Sequence, residues 1–436
     1  MTKCIQLTNR LRQSRFFQDS LWAVMGNGIG YALLLLSGIL IARLLGKDLY
    51  GEYGFVKTTM FHFAAFSTLG LGYTSTKFVA EYMTKDATKL TSIVHASINI
   101  TAVTSCIIAL LLFIFAHPLS DFLNAPSLVM PFRFLGFIVI MRALSTTQFG
   151  IMAGFGDFKK IAYANAISGV FMFSICIPLT YYYSLRGSLI ALALSQILTV
   201  VFNWIFIHRY QRKLSNQVRE KYVWKITMFS IPVALQELTF SLSKWIGILI
   251  ITKFSSMGEL GIFTASEMWG SVIFIIPNFL SNVILSHLSS CTDDIQKQRR
   301  NVRMMILVNL ACTLVPFLLV YAFSSFIVSF YGDSFTGMVP VLRIIIFTTI
   351  FQCCSNVLSS EIIALNSTWP LFTIRAIRDA LNVILGYTLI SLHNGEKAAI
   401  DYAITTLVCM IVFTLMLYLY YKRSIAKLQK GYCHDK

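Results

Sequence analysis

Charged residues are scarce in this sequence, 13% of its 436 residues, and acidic ones are scarcest, with 19 Asp and Glu against 36 Lys and Arg. A soluble domain needs a charged shell, so a water-exposed surface all round is excluded. The seven histidines (62, 95, 117, 208, 287, 393 and 434) never recur at i, i+4, which argues against a metal centre. The nine cysteines fall mostly in apolar stretches or beside basic ones, so they read as small apolar residues rather than a disulfide framework. No G-x-x-x-x-G-K-[ST] phosphate loop occurs, and no carboxylate dyad or Ser/His/Asp set gathers in one connection. Neither a cofactor nor an enzymatic activity is expected.

Long apolar runs fill the space that charge leaves, for 56% of the chain is hydrophobic. Twelve runs approach the roughly 20 residues that a bilayer-spanning helix needs. They lie at 20–44, 54–80, 91–116, 131–153, 161–183, 187–208, 226–251, 261–289, 303–328, 340–364, 370–391 and 399–421. The first is too long for a signal peptide and ends without a small-residue cleavage site, so it is expected to remain as a helix. The basic lead-in from Lys3 to Phe17 reads equally as an amphipathic surface segment or a disordered anchor.

Each span flips the side on which the next connection emerges, and Lys and Arg gather on one side. That side holds Lys3, Arg10, Arg12, Arg15, Lys77, Lys85, Lys89, Lys159, Lys160, the run Arg209 to Lys225, Lys297 to Arg303, and Lys422 to Lys436. The other holds only Arg43, Lys47, Lys57, Arg186, Lys253 and Lys397. The positive-inside rule places both termini in the cytoplasm of a bacterial inner-membrane protein. Attraction to anionic membrane lipids explains the net charge of +17, with no need for nucleic acid as a partner.

A shift of about 210 residues lays Tyr50-Gly51-Glu52-Tyr53 over Leu260-Gly261-Ile262-Phe263, Pro131 and Arg133 near Pro340 and Arg343, and Gly156 on Asn366. This register implies two six-helix halves, 1–210 and 226–436, joined by a basic linker at 211–225. Six is even, so the halves enter from the same side. The expected fold is an all-α membrane protein of about twelve transmembrane helices in two bundles, related by a pseudo-two-fold axis along the membrane normal. A cleft between such halves can open to each face in turn.

Three short motifs stand at span ends: Leu45-Gly46-Lys47-Asp48-Leu49-Tyr50-Gly51-Glu52-Tyr53, Gly70-Leu71-Gly72 with Lys77-Phe78-Val79-Ala80-Glu81-Tyr82, and Gly154-Phe155-Gly156-Asp157-Phe158-Lys159. In content and order they resemble the polysaccharide-unit (O-antigen or capsule, Wzx-type) flippases of the multidrug/oligosaccharidyl-lipid/polysaccharide exporter superfamily, over nearly the whole chain. The motif residues read as structural: Gly46 and Gly51 for tight turns, Tyr50 and Tyr53 for the headgroup zone. The resemblance implies flipping of an undecaprenyl-diphosphate-linked oligosaccharide from the cytoplasmic to the periplasmic leaflet, with a polysaccharide polymerase as a candidate partner.

Ionisable residues inside a span cost about 2.5 to 3.5 kcal/mol each on insertion scales, so each should face protein or water. Arg142 lies mid-span in the first half, where no carboxylate sits at comparable depth. Asn27 or backbone carbonyls satisfy it on one reading; on the other it awaits an anion, and a lipid-linked diphosphate matches its fork. In the second half Glu237, Ser241 and Lys244 share one helix face, and Lys244 and Glu267 reach similar depth and can pair. Glu237 is then left deeper, a candidate carrier of H⁺ in an ion-coupled cycle. Arg375 and Asp379 stand at i, i+4 and are expected to neutralise each other, leaving Arg378 spare unless Glu361 takes it. Candidate substrate-binding residues are thus Arg142, Arg375, Arg378, Lys244 and Asn27. Candidate ion-coupling residues, for H⁺ or Na⁺, are Glu237, Glu267 and Asp379, and Trp245, Trp269, Asn278 and Asn282 are candidates for lining a sugar path.

Two other functions compete. A cation-coupled multidrug exporter of the same superfamily wants an unpaired carboxylate in the first half, where the first span offers only Asn27. A membrane polysaccharide polymerase or ligase wants a sizeable outer loop, and every outer connection here is short.

Overall fold

The computed structural model of the chain describes residues 15–85, 87–123, 125–211, 223–275, 277, 295–365 and 367–434, with most of the side chains from Gly28 to Ala426. The linker expected at 211–225, Asn278, Asn282, Asn366 and the side chain of Asn27 lie wholly or largely outside the described residues. Among the described residues every regular element is helical. In lipid a helix meets all its own backbone hydrogen bonds, which is why long apolar runs take this form.

The first six elements are α1 (Arg15–Thr68), α2 (Leu71–Lys85), α3 (Leu90–Ile114), α4 (Ala116–Phe122), α5 (Val129–Gly154) and α6 (Phe158–Gln211). After them come α7 (Val223–Phe254), α8 (Met257–Ile273), α9 (Ile295–Ala322), α10 (Ser324–Ser329), α11 (Met338–Ala364), α12 (Thr368–Leu392) and α13 (Ala398–His434). Among the described residues seven stretches are long and apolar enough to cross a membrane: Gly28–Thr68, Leu90–Ile114, Val129–Gly154, Phe158–Gln211, Arg299–Ala322, Met338–Ile363 and Ala398–Ala426. Two of these are double. α1 breaks at Gly46 (φ 71°, ψ 171°) and α6 at Ser184 (φ 52°, ψ −134°), so each supplies two of the expected spans. The long helices outside that set, α7 and α12, are those carrying Glu237, Lys244, Arg375, Arg378 and Asp379.

Three expectations need correction. The span 54–80 is two helices, because Leu69 (φ 47°) and Gly70 (φ 71°) turn the backbone left-handed between α1 and α2. The motif 45–53 is not a loop: beyond Gly46 it is helical, which draws Lys57 out of the outer connection and into the apolar stretch of α1. Tyr50 and Tyr53 are buried at 3% and 2% exposure, against each other and Phe335, rather than presented to headgroups.

The chain divides into two compact units, one running to Leu44 and then Phe55–Leu242, the other formed by Leu45–Gly54 with Ser243 onward. In the first, α5 is central, packed on α2, α3 and α6. Gly150 lets it meet Gly72 of α2 backbone to backbone, and Thr76 Oγ1 donates to the Gly150 carbonyl at 2.9 Å. In the second, α11 holds that position, packed on α8, α9 and α13. The succession α3, α4, α5 recurs as α9, α10, α11 some 210 residues on, and so does detail: Arg133 stacks on Phe113 at 5.2 Å, and Arg343 on Tyr321 at 5.0 Å.

Buried hydroxyls inside the spans turn back onto their own helix, as Ser37 does to Leu33, Thr101 to Ser97 and Thr405 to Asp401. Such bonds let polar side chains sit at membrane depth without an external partner.

Candidate functional site

Arg142 occupies the middle of α5 and is half-buried. Its guanidinium carbon lies 4.6 Å from the centre of the Phe61 ring on α1. Among the described residues no carboxylate comes within ion-pair distance of it; the pairs that form elsewhere include Lys160–Asp157, Lys244–Glu267, Arg378–Asp379 and His393–Asp401. Its backbone carbonyl is taken by the hydroxyls of Ser145 and Thr146, so the helix itself is satisfied there. An aromatic face holds an arginine without neutralising it, so the full charge remains available to an anion.

Lys57 was missed by reasoning from loops. It stands at i, i+4 to Phe61 on the same helix, so both share the face that meets Arg142. The signal was present in the sequence as one lysine bounded by Phe55-Val56 and Thr58-Thr59-Met60, a setting too apolar for an aqueous connection.

The second unit carries a denser polar layer. Lys244 on α7 and Glu267 on α8 pair at 3.2 Å, each about a third exposed, as their matched depth implied. On α12 it is Arg378, not Arg375, that holds Asp379: Nε and Nη2 both donate to Oδ1, at 2.9 and 2.6 Å. Phe413 of α13 explains the exchange. Its ring supports the Arg378 guanidinium at 4.5 Å and turns it along α12 toward the neighbouring carboxylate. Arg378 is therefore not the spare cation. The charges of Lys244 and Arg375 also act on Asp379, whose backbone carbonyl accepts from Ser243 at 3.1 Å.

Beside this layer Asn382 donates to the Tyr402 hydroxyl at 3.0 Å. Tyr402 fits because Gly247 and Gly386 leave its ring room; a Cβ on Gly247 would overlap the phenol oxygen. Trp269 donates its indole N–H to Tyr331 at 2.9 Å, and so is fixed rather than free to follow a sugar. Glu237 is exposed on α7, so the protein does not desolvate it and burial lends no support to a carrier role.

The remaining motif residues build corners. Gly156 (φ 73°) turns the chain from α5 to α6, Asp157 accepts from Tyr210 and from Lys160, and Phe155 stacks on Tyr210 at 4.6 Å. Lys77 seats its ammonium 3.6 Å from the Phe229 ring. Among the described residues no group of His, Cys, Asp and Glu is placed to hold a metal ion.

Helices long and apolar enough to cross a membrane, with no other regular element among the described residues, define a multi-pass membrane protein. Solved structures of that class share its fold. An inward-facing multidrug resistance MATE family transporter of the MOP superfamily matches with a TM-score of 0.77 at 15% identity, over 94% of this chain and 99% of that one. The lipid II flippase MurJ in an inward closed conformation matches at 0.72, also with 15% identity, over 93% and 87%. The chain is 20% identical over 410 residues to the uncharacterized membrane protein MJ1375 of Methanocaldococcus jannaschii, covering 91% of this chain and 96% of that one. Residues 40–340 match the family described as polysaccharide biosynthesis protein, and the chain belongs to that family.

Proposed function

We propose that this transporter flips an undecaprenyl-diphosphate-linked oligosaccharide repeat unit from the cytoplasmic to the periplasmic leaflet of a bacterial inner membrane. The observation that carries the reading is Arg142, a mid-membrane guanidinium held by an aromatic ring with no carboxylate in ion-pair reach among the described residues. A diphosphate offers the paired oxygens that a guanidinium fork fits, and passage from one leaflet to the other takes it through this depth. Membership of a polysaccharide biosynthesis family supports a glycan cargo, and likeness to a lipid II flippase supports a lipid-borne one. Likeness to a multidrug transporter at 15% identity speaks for the fold and leaves the cargo open.

In this reading Arg142 receives the diphosphate, Asn27 is a further candidate in the first half, and Lys244, Arg375 and Arg378 serve it in the second. The two halves, 1–210 and 226–436, alternate about it, with both termini cytoplasmic as the Lys and Arg excess favours. Glu237, Glu267 and Asp379 are the carboxylates through which H⁺ or Na⁺ would couple. Glu267 and Asp379 are engaged by Lys244 and Arg378, so coupling through either requires its pair to open. A polysaccharide polymerase would receive the cargo on the far face.

The test is reconstitution. In proteoliposomes carrying a fluorescent undecaprenyl-diphosphate-linked disaccharide, the wild-type chain is expected to expose the probe to an aqueous quencher on the opposite face. Arg142→Ala, inserted to the same level, is expected not to. Equal rates for the two would remove Arg142, and with it the anionic cargo.

A further inference from the structure

The segment Leu45–Gly54 belongs to the second unit although the chain on both sides of it, to Leu44 and from Phe55, belongs to the first. It crosses α8, and the partners are those that the 210-residue repeat makes equivalent. A Cβ built on Gly51 would stand 3.2 Å from the Gly261 nitrogen, and one built on Gly261 would stand 3.1 Å from the Gly51 nitrogen. The same Cβ on Gly51 would run into the Met257 carbonyl, and that on Gly261 into the Lys47 carbonyl. Gly54 meets Thr264, with 3.2 Å between a Cβ there and the threonine Cβ. The pairs Gly51–Gly261 and Gly54–Thr264 are each offset by the repeat length.

Any side chain at Gly51 or Gly261 would hold the two backbones apart. Their absence brings the helices together without interlocking side chains, a contact that excludes water yet can part without breaking a knob-in-hole fit. The segment is bounded by Gly46, whose backbone (φ 71°, ψ 171°) breaks α1 and frees the helix beyond it to swing. Tyr50 anchors it, edge-on to Phe335 at 5.9 Å and 3% exposed.

We propose that Gly51 and Gly261 form the seal of one membrane face, the outer one by the charge distribution, and that this glycine crossing must part in each transport cycle. The proposal rests on the chain being a transporter and not on which cargo it carries.

Thr264→Cys in the otherwise native chain supplies the first test. In membranes, a membrane-impermeant maleimide is expected to add one label more than the native chain takes, counted by intact mass. A thiol at position 264 that stays protected would mean a static crossing and would overturn the proposal. The second test pairs Gly54→Cys with Thr264→Cys, whose Cβ atoms lie near the roughly 3.8 Å that a disulfide spans. The reduced double variant is expected to flip the fluorescent undecaprenyl-diphosphate-linked disaccharide, its oxidised form to stop, and re-reduction to restore it, with each single variant indifferent to oxidant. Undiminished flipping in the oxidised form would sink the seal. A wild-type chain that does not move the probe would count against the cargo alone, and the labelling result would still decide the crossing.

Discussion

The guanidinium of Arg142 and the ring of Phe61 lie 4.6 Å apart, on α5 and α1, and no acid closes the pair among the described residues. At the position 210 residues on, where the second half would repeat this arginine, stands Gln352. The cation is thus a feature of one half only, as a site for an asymmetric cargo would be.

Replacing Arg142 with Lys separates charge from geometry. A bidentate diphosphate contact predicts that Arg142→Lys loses most of its flipping rate while inserting normally, whereas a contact by charge alone predicts near-wild-type flipping. Phe61→Leu, which keeps apolar bulk and removes the π face, is expected to weaken binding of the diphosphate lipid by about 1 kcal/mol. Affinity measured with the purified chain decides both.

Lys57 is expected to act on the same cargo. Lys57→Gln should reduce affinity for the diphosphate lipid and leave that for an uncharged glycosyl polyprenol unchanged, while Lys57→Arg keeps it. If Lys57→Gln weakens both lipids equally, the residue serves packing rather than the anion.

The Arg378–Asp379 pair is nearly buried, so breaking it from one side should destabilise the fold. Asp379→Asn is expected to cost about 3 kcal/mol by leaving a cation without its partner. Arg378→Gln added to Asp379→Asn should recover part of that loss, read as thermal unfolding in detergent. Additive losses in the two variants would show that the side chains act independently. The more exposed Lys244–Glu267 pair should contribute less, below about 1 kcal/mol.

Gly247 makes room for Tyr402. Gly247→Ala is expected to displace the phenol from Asn382 and destabilise the second unit by about 1 to 3 kcal/mol. Tyr402→Leu, which shortens the clashing side chain, should then recover stability in the Gly247→Ala background. Unchanged melting of Gly247→Ala would show that the ring has another place to go.

The spans were legible because a bilayer requires long apolar runs and helix, so that composition nearly dictates structure; where a run such as 54–80 breaks, only the left-handed Leu69 and Gly70 reveal it. Lys57 was misplaced because a nine-residue Gly-Tyr motif reads as a loop in one dimension. Its Gly46 breaks α1 and its Gly51 admits backbone contact with α8, which no local pattern encodes. The Lys244–Glu267 pair followed from depth alone, since both residues could be counted from one connection. The exchange of Arg375 for Arg378 did not, because the decision belongs to Phe413 on another helix. The support of Arg142 by Phe61 was equally hidden, for a phenylalanine in a span is most often packing.

The account stands on an anion meeting Arg142, and binding measures that most directly. Purified wild-type chain is predicted to bind undecaprenyl diphosphate-linked disaccharide at least about tenfold more tightly than the same disaccharide on an uncharged polyprenol, a difference of about 1.4 kcal/mol that Arg142→Ala should erase. Equal affinity of the wild-type chain for the charged and uncharged lipids, or a preference that survives in Arg142→Ala, would contradict it.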